Sequence, residues 1–253
     1  MSVTRSQTPP PYDSPLYDCR RGSFERHTPG QDSCERCSVD HPLGSVTVNT
    51  PREGLCFPRR SVASAMCTPQ TSRFELELRA NLDREINVVN AACRKYTAPP
   101  ITQLNEHLFI GGFPTNETLD LLRDQNITHI INCCSGEKRS TDSESLFHVA
   151  HINARDDPDY YILHHHFDSF LSLVDEVTRG HGKVFVHCYA GVNRSAALCV
   201  AYLMERCGMD PIESVRLFRK QGRMVVLDNQ QFRQQLVQHF FYMRPDLLRT
   251  CEC

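Results

Sequence analysis

His187-Cys188-Tyr189-Ala190-Gly191-Val192-Asn193-Arg194-Ser195 joins two stretches of different character. Ahead of it, Lys183-Val184-Phe185-Val186 is a short apolar, β-branched run that reads as a buried strand. Behind it, Ala196 to Arg206 is rich in good helix formers and stops just before Gly208, the residue type that caps helix C-termini. The nine residues therefore span a strand–loop–helix turn, with a cysteine where the loop begins and an arginine near its end.

A loop that feeds a helix N-terminus turns several backbone N–H groups toward one point, and the helix dipole adds positive character there. An oxyanion such as phosphate fits that cup, built here by Tyr189, Ala190, Gly191, Val192, Asn193 and Arg194. Gly191 lets the backbone turn tightly with no Cβ in the way. Arg194 can fork two N–H bonds onto two phosphate oxygens. The same field favours the thiolate of a cysteine at the start of the loop. Cys188, beneath a bound phosphoryl group, is then a nucleophile for covalent catalysis. The competing reading, a buried cysteine that ends a strand, leaves the other positions of the string unexplained.

The string His-Cys-x-x-Gly-x-x-Arg-Ser resembles the signature of the cysteine-dependent protein phosphatases, and Ala201-Tyr202-Leu203-Met204 narrows the resemblance to the dual-specificity branch. Upstream, Leu108-Phe109-Ile110-Gly111, a helical stretch from Thr118 to Gln125, and Asn126-Ile127-Thr128-His129-Ile130-Ile131-Asn132 resemble the opening of a dual-specificity phosphatase domain. The resemblance covers about residues 101 to 243. It implies an α/β fold, a central, mostly parallel sheet flanked by helices, which agrees with strands alternating with helices along the chain.

Further roles follow from the resemblance by position. Dephosphorylation needs a proton for the leaving oxygen, and a carboxylic acid on a mobile loop can supply it. Ala154 to Tyr161 offers Asp156, Asp157 and Asp159. Asp156 falls on the family's acid position, with Asp157 as runner-up. Ser195 resembles the family hydroxyl that stabilises the departing thiolate when the phosphocysteine is hydrolysed, and His187 supports the loop. Asn229 stands on the family asparagine whose side chain braces the phosphate loop, although Gln231 occupies a place where the family often has glycine. The implied mechanism needs no metal and no other cofactor: the cup and Arg194 supply the charge stabilisation that Mg²⁺ supplies in kinases.

The rest of the chain sets bounds. With 253 residues and a net charge of −2, one catalytic domain plus appendages is expected, with no general affinity for nucleic acid or anionic membranes. No apolar run approaches the length of a membrane span. Met1 to Arg5 leads into prolines rather than an apolar signal region, and Ser2 stands where myristoylation requires glycine. The 13 cysteines, odd in number and scattered, suit a reducing compartment. A cytoplasmic location is expected, with the nucleus as an alternative.

Residues 1–70 hold nine of the 15 prolines and no Ile or Lys, a composition expected to stay disordered. Thr8-Pro9, Ser14-Pro15, Thr28-Pro29, Thr50-Pro51 and Thr68-Pro69 make a proline-directed protein kinase a candidate partner, unless the pairs are chance products of the composition. Cys34-x-x-Cys37 lacks the second pair of a zinc site, so no metal is assigned. Residues 71–98 read as an amphipathic helix and linker. Ser72 and Glu75 form a capping box, and Phe74, Leu78, Leu82, Ile86 and Val89 form one apolar face expected to dock on the catalytic domain of residues 101–243. His164-His165-His166 point in different directions on a helix and are expected to be mostly solvated. Cys133 and Cys134 end a strand and are expected to be packed in the interior; a disulfide with Cys188 under oxidation is the alternative. The tail of residues 244–253 ends in Cys251-Glu252-Cys253, similar to doubly prenylated small GTPases but without their context, and is read as unmodified. Membrane association is expected only if those cysteines carry lipid.

The resemblance thus implies a protein phosphatase acting on phosphotyrosine and on phosphoserine or phosphothreonine, with phosphorylated proteins as its partners. Two alternatives stand beside it. The first is a phosphatase of phosphoinositides or RNA 5′ ends. Tyr189, Ala190, Val192 and Asn193 add no charge to the loop, which argues against a highly anionic substrate, whereas Asn193 before the arginine resembles the RNA-phosphatase variant. The second is a module that grips phosphoproteins with little turnover. Its usual mark is loss of the cysteine, arginine or acid, and all three are present.

Overall fold

The computed structural model describes residues 46–47, 73–134 and 146–249. Six strands form one sheet: Val46–Thr47 (β1), Ile101–Gln103 (β2), Leu108–Gly111 (β3), His129–Asn132 (β4), His148–His151 (β5) and Val184–His187 (β6). Their order across the sheet is β1-β5-β4-β6-β3-β2. Only the β2–β3 pair is antiparallel; the others are parallel, as connections through helices require. The described helices are Arg73–Ala92 (α1), Asn116–Asp124 (α2), Ile162–Arg179 (α3), Arg194–Cys207 (α4), Pro211–Lys220 (α5), Gln230–Met243 (α6) and Asp246–Arg249 (α7).

β6 is buried along its whole length, as expected of a parallel strand covered on both faces. Alternate residues point to opposite layers. Leu108, Ile110, Ile131, Val184 and Val186 join the larger core with α3, α4 and α6, while Phe109, Ile130, Val149 and Phe185 pack on Leu119 and Leu122 of α2. Gly111 and Asn132 both pair with His187, so β3, β4 and β6 end level and the loop after β6 leaves from the carboxyl edge of the sheet. In open parallel sheets that edge is where ligands bind. Every residue of α4 from Ser195 to Met204 is buried, which makes it the central helix. It ends at Gly208 in the left-handed conformation, and α5 begins on the Asp210–Glu213 capping box.

α1 buries Leu82, Ile86 and Asn90. Glu85 pairs with Arg219 at 2.8 Å and Arg216 at 3.2 Å, and Asp83 pairs with Arg233 at 3.1 Å. The apolar face therefore meets α5 and α6, but not over its full length: Phe74 stays 47% exposed one turn beyond the contact. Ile101–Gln103 becomes an edge strand that periodicity could not reveal in three residues. Of the three consecutive histidines, His164 and His165 are exposed, while His166 is half-buried and its Nε2 lies 2.6 Å from the Tyr160 hydroxyl. No helix among the described residues is long and apolar enough to cross a membrane. The Ser/Thr-Pro pairs, Cys34 and Cys37, Ser72, and Cys251 and Cys253 lie outside the described residues.

Candidate active site

The loop from Cys188 to Asn193 is shaped from its outer side. Tyr189 O accepts the Phe113 N–H at 2.9 Å and Val192 O accepts the Leu227 N–H at 2.7 Å. Gly191 O accepts from an Arg223 terminal nitrogen at 3.3 Å. Gly191 has a φ of 69°, and a Cβ there would stand 2.5 Å from Gly111 O, so only glycine fits. With these carbonyls engaged, the N–H groups of Tyr189, Ala190, Gly191, Val192 and Asn193 have no protein acceptor among the described residues. Arg194 Nε is likewise buried without a hydrogen bond, 3.8 Å from Asp156 Oδ2. Its terminal nitrogen donates to Ala154 O at 3.4 Å. A row of uncommitted donors at a helix N-terminus, with a guanidinium beside it, is a site for an oxyanion.

Cys188 lies at the start of this loop, 2% exposed. Ser195, in the first turn of α4 and fully buried, donates from Oγ to Cys188 Sγ at 3.2 Å. Cys133 and Cys199 are the neighbouring thiols. Burial pushes both well up, and negative charge at Cys188 pushes them further. His187 is stacked on Phe185 and meets Phe113 edge-on. Burial pulls its imidazole down to about 4, so the ring is neutral at neutral pH. Its Nδ1 carries the proton and donates to Cys188 O at 3.3 Å, since a carbonyl only accepts.

The acid loop faces Arg194 across the cup. Asp156 Oδ2 accepts from Asn193 Nδ2 and Asp156 Oδ1 from Asn229 Nδ2, both at 3.2 Å. Asn193 is the N-cap of α4, yet its side chain makes no cap bond; Asn193 Oδ1 accepts the Asn229 N–H at 3.0 Å instead. Asn229 therefore braces the phosphate loop through its backbone, while its side chain holds the acid loop at Asp156 and at Asp157 O, 3.1 Å away. Asp157 turns to Arg155 at 3.4 Å, and Asp159 is exposed, so Asp156 is the carboxylate that faces the arginine. The loop is anchored behind by Gln235, which donates to Tyr160 O at 2.9 Å, and by Arg155, which lies over the Tyr160 ring at 4.9 Å.

The structure thus brings Cys188, Arg194, Ser195, Asp156, Asn193 and Asn229 into one constellation. Two contributions escaped the sequence reading: the side-chain role of Asn193, and Arg223. An arginine directly before the apolar run Met224 to Leu227 was the available signal for the latter.

Residues 108–240 match the family model of the dual specificity phosphatase catalytic domain. Dual specificity protein phosphatase 1 of Arabidopsis thaliana is 27% identical over 177 residues, covering 70% of this chain and 87% of that protein. Dual specificity protein phosphatase 18 of Mus musculus is 34% identical over 140 residues, covering 55% of this chain and 72% of that protein. The crystal structure of human DUSP28 is alike in fold, with a TM-score of 0.52 at 21% identity, over 58% of this chain and 96% of that one.

Proposed function

Since the chain belongs to the dual-specificity phosphatase family and is a protein phosphatase, we propose that it hydrolyses phosphotyrosine and phosphoserine or phosphothreonine in proteins through a phosphocysteine intermediate. What supports this most directly is the set of uncommitted donors, five loop N–H groups and Arg194 Nε, on the one loop that begins at Cys188. Such donors aimed at one point stabilise the charge that builds on the phosphoryl oxygens.

In the first step Cys188 Sγ attacks phosphorus in line with the ester oxygen. The S–P bond forms as the P–O bond breaks, and Asp156 gives its proton to the departing oxygen. Arg194 and the loop N–H groups hold the three remaining oxygens. In the second step Asp156 takes a proton from water, whose oxygen attacks phosphorus and displaces the Cys188 thiolate. Ser195 Oγ donates to that sulfur as charge returns to it. Asn193 and Asn229 hold Asp156 at the mouth of the cup for both proton transfers.

The experiment is phosphate release from an aryl phosphate and from matched phosphotyrosine and phosphothreonine peptides, with wild type and Cys188→Ser. Turnover of all three substrates, abolished in the variant, is the expected result. Turnover that survives Cys188→Ser rejects the phosphocysteine, and turnover of phosphotyrosine alone rejects dual specificity. If reduced wild-type protein binds the peptides without turning them over, the binding-module reading replaces this one.

A further inference from the structure

Behind the phosphate loop lies a buried cation that the two steps above do not use. Arg223 follows the turn that ends α5 and is 1% exposed. Its Nε donates to Thr102 Oγ1 at 3.2 Å, and its terminal nitrogens to Gly191 O at 3.3 Å and Pro99 O at 2.7 Å. All three acceptors are neutral, and no carboxylate pairs with Arg223 among the described residues. A guanidinium keeps its proton inside proteins, so this is a desolvated positive charge without a permanent counter-ion. The nearby groups able to carry negative charge are the thiols of Cys188 and Cys199. Burial pushes the Cys199 thiol far up and keeps it neutral. The anions left within the reach of Arg223 are therefore the Cys188 thiolate and a phosphoryl group bound above it.

The contact with Gly191 has a geometric consequence as well. A Cβ on Gly191 would stand 2.8 Å from the Arg223 nitrogen, so the guanidinium is seated directly against the left-handed turn of the loop. By taking the Gly191 carbonyl on the outer side it keeps that acceptor from facing an oxyanion in the cup. Leu227, itself held at a φ of 53°, does the same for Val192 O from the next turn of the same segment.

We propose that Arg223 is a positioning residue for this reaction: it locks the Gly191 carbonyl outward and lends the Cys188 thiolate a second positive charge from behind the loop, opposite Arg194. The proposal rests on Cys188 being the nucleophile. The other groups placed around Cys188 are Ser195, which donates to its sulfur, the neighbouring thiols of Cys133 and Cys199, the neutral His187 and, at the far end of the same loop, Arg194 with the Asp156 carboxylate 3.8 Å from it. Among these, Arg194 is the only other cation.

Arg223→Met and Arg223→Gln remove the charge, the latter keeping an amide for hydrogen bonding; Arg223→Lys keeps the charge and loses the fork. Thermal melting by circular dichroism identifies the variants that fold. On each of those, the rate of Cys188 alkylation by iodoacetamide at pH 6 is measured, with kcat and KM for an aryl phosphate. The neutral variants are expected to alkylate at least about tenfold more slowly than wild type and to lose roughly 30-fold or more in kcat/KM. Arg223→Lys is expected to recover alkylation to within about threefold of wild type while kcat/KM stays low, because an ammonium cannot hold three acceptors in one plane. Wild-type alkylation in a folded neutral variant overturns the proposal. So does Arg223→Lys alkylating as slowly as the neutral variants, since charge is then not what matters. If neither neutral variant folds, Arg223 is a core residue and the proposal also falls. Failure of the phosphocysteine reading is visible separately, as turnover that persists in Cys188→Ser.

Discussion

Asn193 donates to Asp156 across the mouth of the phosphate cup, Nδ2 to Oδ2 at 3.2 Å, and so joins the phosphate loop to the acid loop. Without this bond and its counterpart from Asn229, the carboxyl would be free to turn into solvent. Asp156→Asn is expected to lower kcat by roughly 100-fold, the usual range for a lost general acid, and Asn193→Ala by about tenfold. The loss should grow as the leaving group becomes a poorer acid. Comparing nitrophenyl, phenyl and alkyl phosphates checks this, and an equal loss on all three would separate Asn193 from proton transfer.

Ser195 acts on the other half of the reaction. Its hydroxyl donates to a buried sulfur, so its effect falls where the sulfur regains charge. A hydrogen bond to a charged group is worth about 1.5–3 kcal/mol, or roughly 10- to 100-fold in rate. Ser195→Ala is expected to slow hydrolysis of the phosphocysteine by that factor while sparing its formation. Rapid-quench kinetics should then show a larger burst of product than wild type, and intact mass spectrometry more phosphorylated enzyme.

His187 makes stability depend on pH. Its imidazole lies at about 4 in the folded protein against 6.5 for the free side chain, because burial disfavours the charged ring. Above pH 6.5 both folded and unfolded chains hold it neutral. Between 6.5 and about 4 only the unfolded chain takes the proton, so stability falls as pH falls, by about 3 kcal/mol when the window is crossed. His129, His166 and His239 are also pulled down by burial and add a slope of the same sign. Urea unfolding at pH 7, 6, 5 and 4 should therefore show a shallower decline for His187→Asn than for wild type.

Features carried by adjacent residues were legible before the structure. Gly208 depends on a local backbone rule, and it is found in the left-handed conformation where the rule puts it. The phosphate loop was legible for the same reason, because strand, loop and helix follow one another directly. What was hidden depends on pairs far apart in sequence. Nothing local tells that Asn193 forgoes its cap to reach Asp156 and Asn229, or that Arg223 turns inward to Gly191 and Pro99. The stripe on α1 showed that the helix would dock, but Asn90 is polar and breaks the period, so its burial against the segment before α6 could not be read from hydrophobicity.

Cys133 N–H donates to His187 O at 2.8 Å, one step past the paired residues Asn132 and His187, so Cys133 and Cys188 leave neighbouring parallel strands side by side. Adjacent strands are about 4.8 Å apart, within the Cα separations that disulfides span. Peroxide would oxidise the Cys188 thiolate to a sulfenic acid; attack by the Cys133 thiol then forms the S–S bond and releases water. Because burial pushes the Cys133 thiol up, this closure is expected to be slow, and the disulfide once formed shields Cys188 from further oxidation. Peptide mapping after peroxide should find Cys133 joined to Cys188, and dithiothreitol should restore activity in wild type but not in Cys133→Ser. A mapped bond to Cys134 instead would reject the strand argument.

α1 lies outside the matched catalytic segment, yet it holds the residues that carry Asn229. Asn90 donates to Val226 O and to Asp228 Oδ1 and accepts the Val226 N–H, while Arg233 spans from Asp83 and Asn87 of α1 to Leu227 O and Asp228 O. Leu82 and Ile86 bury their side chains completely in the same interface. Two kinds of damage should therefore separate. Leu82→Ala leaves a cavity and is expected to cost about 3 kcal/mol of stability, with kcat of the folded protein unchanged because the polar contacts to Val226 and Asp228 remain. Asn90→Ala leaves the Val226 N–H and C=O buried without partners, at a cost of about 2 kcal/mol. It should also lower kcat several-fold, because the segment that positions Leu227 under Val192 O and Asn229 beside Asp156 is then free to shift. Denaturant unfolding gives the two stabilities and steady-state kinetics below the melting range gives the two kcat values. Equal kcat in Asn90→Ala and wild type would show that α1 supports the fold without reaching the site.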